Sequence, residues 1–366
     1  MNKWVEINLA NVSYNIGQIR RLVGKQVEIM PIVKANAYGH GAVEVAKTVI
    51  KAGANKLGVA SLSEGIELRE AGILADILVL SPLNINQLQK AIDNHLTLTI
   101  SSIDNLKEII TLNQSIKIHL EIDTGMGRLG IQSAEINELE DILRTKPERG
   151  APLNLEIEGI FSHFAQADAE NNYKQFNKFQ EIINHLIQAG INIPIKHISN
   201  SGAIISFKEM YLNLVRPGII VYGLYPATNF PKIVDLQPVM TFKAKIIQLR
   251  KIPKGCGISY GSTYITDKET LIATIPVGYA DGYNRLLSNK AQAVIKGFRV
   301  PVVGRITMDF CMLNVTDVPE VKIGDEVTLF GENPAVDELA QICQTINYEI
   351  VCGISQRVPR VYIEKR

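Results

Sequence analysis

The stretch Ile32-Val33-Lys34-Ala35-Asn36-Ala37-Tyr38-Gly39-His40-Gly41 puts one lysine at the end of an apolar run, residues 29–33. Burial disfavours an ammonium ion, so a lysine at the mouth of a buried strand gives up its proton more readily than one in water. A neutral amine can attack a carbonyl and form a Schiff base. The same residues also describe a strand-end lysine that merely reaches solvent. Other reactive types follow. Arg128 lies in Asp123-Thr124-Gly125-Met126-Gly127-Arg128-Leu129-Gly130, and His163 follows the run 155–161. His197 and Ser199-Asn200-Ser201 lie in and after the run 195–198, and Arg216 lies inside 214–222. A guanidinium fork suits a carboxylate. Taken singly, a strand histidine can be a satisfied core group and a strand arginine can pair with a carboxylate.

These groups need a scaffold that brings them to one face. Eight short apolar runs, at 29–33, 56–60, 76–80, 96–100, 117–122, 155–161, 195–198 and 214–222, alternate mostly with amphipathic stretches such as 42–52, 64–71 and 103–111. Eight strand–helix units predict an α/β fold, a (β/α)8 TIM barrel. A doubly wound open sheet is the alternative, but no Gly-rich dinucleotide loop follows the first strand. In a barrel, chemistry sits at the C-terminal strand ends. Those ends carry Lys34, Ser61, Ser81, Ser101, Arg128, His163, Ser199-Asn200-Ser201 and Gly223. A serine there is also an ordinary helix cap. Past residue 235 the pattern changes to alternating strands at 241–249, 271–275, 291–295, 298–303, 310–315 and 326–330, with a Lys296-Gly297 turn and one helix near 336–345. The expected division is a barrel over 10–232 and a C-terminal mostly-β domain over 233–366, joined by the strand in 1–9. The boundary is expected near Asn229-Phe230-Pro231.

The whole chain narrows the function. Its 366 residues are 46% apolar, and 38 basic against 37 acidic residues leave a net charge of +1. Near-neutrality offers no electrostatic footing for nucleic acid or an anionic membrane. Cys256, Cys311, Cys343 and Cys352 form no C-x-x-C pair and no zinc-ligand spacing, so no metal is expected. The N-terminus has no signal-peptide pattern, and no window reaches the ~18 apolar residues of a membrane helix. The expectation is a soluble cytoplasmic protein.

The ordered set of motifs resembles the alanine racemases. It comprises the Lys34 string, 123–130, Ser162-His163-Phe164-Ala165, His197-Ile198-Ser199-Asn200-Ser201 and Val215-Arg216-Pro217-Gly218. It continues with Ser259-Tyr260-Gly261, Pro276-Val277-Gly278-Tyr279-Ala280-Asp281-Gly282, Gly304-Arg305-Ile306-Thr307-Met308-Asp309 and Arg357-Val358-Pro359-Arg360. The resemblance implies a pyridoxal 5'-phosphate (PLP) enzyme that interconverts L- and D-alanine by a two-base mechanism on a PLP imine, and a homodimer with shared active sites. It implies Lys34 as cofactor lysine and one base, with Tyr260 as the other. It implies Tyr38, Ser201, Gly218 and Ile219 at the phosphate, His163 against the ring, and His197 bonded to Arg216 at the pyridine nitrogen. It implies Arg128 and the Met308 N–H for the substrate carboxylate, Tyr279 at the approach with Arg285 and Arg305, and Asp309 behind them. D-Alanine would feed peptidoglycan.

Two positions depart from the family pattern. Glu121 stands where many members have a carbamylated lysine, and is expected to orient Arg128. Gln356 stands where the family usually has tyrosine, which leaves room for serine as a better substrate. A racemase of the same family preferring serine, a PLP decarboxylase and a non-catalytic PLP carrier are the alternatives.

Overall fold

The computed structural model describes residues 1–112, 114–144, 155–166, 171–227 and 230–364. Asn229, one of the expected boundary residues, lies outside them.

The first strand, β1 (Lys3–Asn8), runs into a helix, Leu9–Val23. The Asn8 side chain caps that helix by accepting from the Ala10 N–H. Val12, Ile16, Ile19 and Val23 recur at helical spacing and are buried. Gly24, at φ 81°, ends it, a conformation that costs glycine nothing. Eight parallel strands follow: β2 (Glu28–Ile29), β3 (Lys56–Val59), β4 (Asp76–Val79), β5 (Thr97–Ile100), β6 (Ile116–Glu121), β7 (Leu155–Phe161), β8 (Ile195–His197) and β9 (Leu214–Val215). Strands β3 to β8 pair in sequence order as one sheet, and β2 pairs with β9. Two seams close the ring. Ile32 bridges to Gly58 beside β3, and the Arg216 N–H donates to Ser199 O beyond β8. The architecture is the TIM-type barrel. Ser61 and Ser102 cap the helices Leu62–Glu70 and Ile103–Ile110, so the Ser61 hydroxyl has an ordinary structural role.

Three expected strands are corrected. The run 29–33 is a strand only at its start, Glu28–Ile29, because Pro31 has no N–H for a ladder. The run 214–222 is a strand only at Leu214–Val215. Pro217 has no N–H to offer a ladder, and Ile219–Tyr222 winds into a short 3-10 turn. Arg216 therefore stands just past the strand end rather than within it. The run 241–249 is two strands, β10 (Met240–Lys245) and β11 (Gln248–Ile252), which belong to different sheets.

The second, mainly β body has a six-stranded sheet in which β1 lies between β10 and the strand Arg360–Ile363. Lys296 and Gly297 both take positive φ, 50° and 85°, and make the tight hairpin between Gln292–Ile295 and Phe298–Pro301. The expected helix spans Val336–Cys343. A second helix, Asn347–Cys352, was not expected; its six residues are too few for periodicity to show.

Candidate active site

One cavity of about 590 Å³ opens among the C-terminal ends of the barrel strands. Lys34, Tyr38, Glu121, Arg128, His163, Ser201, Arg216, Gly218 and Ile219 all line it. His197 lies one layer below, fully buried, and bonds Arg216. Tyr348 and Cys352, from the unexpected helix, also line the cavity. Tyr260, Tyr279 and Met308 do not. They are surface residues of the β body, 73%, 43% and 53% exposed. Asp309 is paired with Arg357, the neighbour of the exposed Gln356.

Lys34 stands on an unusual turn. Ala35, Asn36, Ala37 and Tyr38 all have φ between 52° and 54°, a left-handed helical turn without glycine. L-residues resist this conformation by about 1–2 kcal/mol each, so neighbours must hold it. Glu64 accepts from the Ala35 N–H at 2.7 Å, and Asn36 accepts from the Ala42 N–H at 2.8 Å. Gly39, at φ 83°, continues the turn and lies so close to Val351 O that a Cβ would collide with it. Burial, with the nearby Arg128 cation, lowers the Lys34 pKa, which favours the nucleophilic amine.

Opposite the lysine is a small polar cradle. The Gly218 N–H donates to Ser201 Oγ at 2.8 Å. A Cβ at Gly218 would stand 2.7 Å from Tyr38 Oη and 3.7 Å from Ser201 Oγ. Two hydroxyls, one of them held by a backbone N–H, beside a missing side chain suit an oxyanion such as a phosphate.

Arg216 occupies the floor. Its Nη1 donates to His197 Nδ1 at 2.6 Å, and its Nη2 donates to Ser162 O at 2.7 Å and faces His163 Nδ1 at 3.2 Å. Burial pulls its pKa to about 10, so it stays a cation at neutral pH. Burial first, then the Arg216 charge, holds His163 and His197 neutral. The Arg128 loop is built on Asp123, whose Oδ1 accepts from the N–H groups of Gly125, Met126 and Gly127. Burial alone would raise that carboxyl; the three N–H groups outweigh it and hold it below its ordinary value.

Glu121 is buried in the wall, and its Oε2 has no hydrogen-bond partner among the described residues. Burial raises its pKa to about 7 from an ordinary 4.5, against the pull of Arg216 and then Arg128. The carboxylate thus opposes folding increasingly as pH rises from about 4.5 through 7, by up to about 3 kcal/mol above pH 8. Thermal melts of the cofactor-free Glu121→Gln protein should exceed the parent at pH 8, with the gain falling below about 1 kcal/mol at pH 5.

Comparison with known proteins decides the family. The alanine racemase N-terminal domain family matches residues 7–226, and the alanine racemase C-terminal domain family matches residues 239–362. The chain belongs to the alanine racemase family. The alanine racemase of Desulforamulus reducens is 48% identical over 98% of this chain and 98% of its own. A Clostridium difficile alanine racemase in complex with cycloserine superposes with a TM-score of 0.91 at 39% identity, covering 100% of this chain and 96% of the other. The Bacillus anthracis alanine racemase with bound L-Ala-P gives 0.90 at 40% identity, covering 100% and 95%.

For an alanine racemase family member the residues can be matched to pyridoxal phosphate. Lys34 would offer an amine for its aldehyde, the Tyr38–Ser201–Gly218 cradle would receive its phosphate, and Arg216 would offer a donor to its ring nitrogen. All three line one cavity, and the group fits. Gly218→Ala would push the Tyr38 hydroxyl aside and fill the cradle. Titration of the cofactor-free variant with PLP, followed by absorbance, should give a Kd raised about tenfold or more, the loss of one to two charge-assisted bonds.

Proposed function

We propose that this protein interconverts L-alanine and D-alanine with pyridoxal phosphate, as a homodimer that shares its active sites. The observation that carries this is the meeting of Lys34, the Gly218 cradle and Arg216 in one cavity. When bound, the cofactor supplies the electron sink that lets an amino acid's Cα–H ionise. Lys34 would hold it through Nζ, and the same Nζ, when free, would hold a proton on one face of the substrate Cα. Tyr260 Oη of the second copy holds a proton on the other face. Its exposure, outside its own chain's cavity, is what a residue offered to a neighbour requires. Arg128 receives the substrate carboxylate through its planar fork, and the second copy's Met308 N–H adds a donor. Tyr279 lines the approach, with Arg285 and Arg305 drawing in anions. Ile219 joins the phosphate cradle, and His163 lies against the ring. Glu121, expected to orient Arg128, makes no hydrogen bond or ion pair with it among the described residues and feels the Arg216 charge more strongly; Asp309 supports the mouth through Arg357. Arg216 has donors only, so it would hold the ring nitrogen as an unprotonated acceptor. This weakens the sink and favours return of the proton to Cα over transamination. The protein would act in the cytoplasm, with D-alanine going to peptidoglycan.

The test is loss of optical activity. PLP-loaded protein should abolish the rotation of L-alanine solutions quickly and that of L-serine slowly; no loss with either would overturn the reading. Gln356 gives the serine alternative its one support. If the shorter side chain opens the pocket, Gln356→Tyr should lower the serine-to-alanine ratio of kcat/KM by about tenfold; an unchanged ratio removes that support.

A further inference from the structure

A line of buried polar side chains leaves the cavity floor and crosses the barrel interior. His197 accepts from Arg216 at Nδ1, and its Nε2 lies 2.8 Å from His119 Nδ1. His119 Nε2 lies 3.0 Å from Glu158 Oε2. Glu158 Oε1 accepts from Lys56 Nζ at 2.7 Å, and Lys56 also bonds Asp76 Oδ2 at 2.8 Å. Lys56 and Asp76 are the first residues of β3 and β4, so the line runs from the C-terminal mouth to the opposite rim. Gly159 makes room for the His119 ring, since any Cβ there would collide with it.

The proton positions along this line are set from both ends, by the donor-only Arg216 and by the acceptor-only carboxylate of Glu158. A guanidinium only donates, so His197 Nδ1 must be bare and its proton must sit on Nε2. His119 Nδ1 must then accept, which puts the His119 proton on Nε2, facing the carboxylate. An imidazolium at either ring would set two donors head to head. Both histidines are fully buried, and the burial that holds them neutral agrees with this.

We propose that His119 and Glu158 are positioning residues for Arg216: the Glu158 carboxylate locks both imidazoles in the Nε2–H tautomer, and the locked His197 fixes the guanidinium on the cavity floor. The kinetic part rests on the racemase reading; the tautomers do not.

The test uses protein with 15N-labelled histidine, with and without PLP, at neutral pH. Wild-type His119 and His197 should both show a bare Nδ1 and a protonated Nε2. Either ring protonated on Nδ1, or doubly protonated, overturns the proposal without any variant. Glu158→Gln keeps the shape but gives His119 a side chain that can also donate. With Arg216 the only remaining end that fixes a proton, it should lower the Nε2–H population of both rings below the wild-type value, shift the absorption of the bound cofactor, and lower kcat at least tenfold while KM stays within about twofold. A variant that melts earlier but keeps wild-type tautomers and kcat would show a merely structural role and overturn the proposal. If Glu158→Gln does not fold, Lys56→Met, which leaves the His119 contact in place, should retain the tautomers. Wild-type protein that fails to racemise alanine while showing the expected tautomers defeats the functional reading alone.

Discussion

Lys34→Ala and Tyr260→Phe should each reduce racemisation by at least ~10³-fold, since each removes one of two proton carriers. Co-expressed with different tags and purified as a hybrid, the two inactive chains should recover about half of wild-type activity per dimer. The arithmetic follows from where the residues sit. Lys34 lines the cavity of its own chain, while Tyr260 projects from the β body into solvent. If each site takes its tyrosine from the other copy, the hybrid has one site with both residues and one with neither. If both came from one chain, each site of the hybrid would lack one, and no activity would return. The sedimentation coefficient of the hybrid checks that a dimer has formed.

Arg216→Gln carries the second large effect. The guanidinium serves His197 Nδ1, Ser162 O and Ile198 O, all buried. Glutamine is shorter and cannot reach all three, so acceptors are left unpaired at about 1–3 kcal/mol each. Glu121 also loses its largest favourable charge. We expect a loss of about 3 kcal/mol in urea unfolding at pH 8. In the folded fraction, kcat should fall about a hundred- to a thousand-fold, as for loss of one preorganised donor at a developing charge. A transaminase side reaction, read as slow conversion of the cofactor to its amine form, should rise relative to racemisation.

Much of the fold can be read in the chain because its signals are local. Each of the eight apolar runs overlaps one barrel strand, and the Lys34 string is ten contiguous residues. What escapes reading depends on three-dimensional pairing. His119, Glu158 and Lys56 lie inside apolar runs, where a charge looks like the solvent side of a strand; only barrel closure turns them toward one another. That Lys56 opens its run and that Glu158 sits two residues after Glu156 were the faint signals. Tyr348 and Cys352 reach the cavity on a helix too short for periodicity. The 214–222 run reads as one strand because hydrophobicity alone does not weigh Pro217. The handedness of Ala35 to Tyr38 has no signature in residue type, because alanines normally avoid it.

The position of β1 bears on how the chain is made. It precedes the barrel strands in the chain, yet it pairs with Met240–Lys245 and with Arg360–Ile363, which follow them. The helix that abuts the lysine turn at Gly39, Asn347–Cys352, also arrives late. Through most of synthesis the barrel strands can assemble, while the opening strand keeps two bare edges and the lysine turn lacks its backing. Such edges invite pairing with other chains. The cavity around Lys34 is therefore complete only once the segment through residue 363 is in place. A chain lacking residues 347–363 would present a sticky strand and an unfinished site.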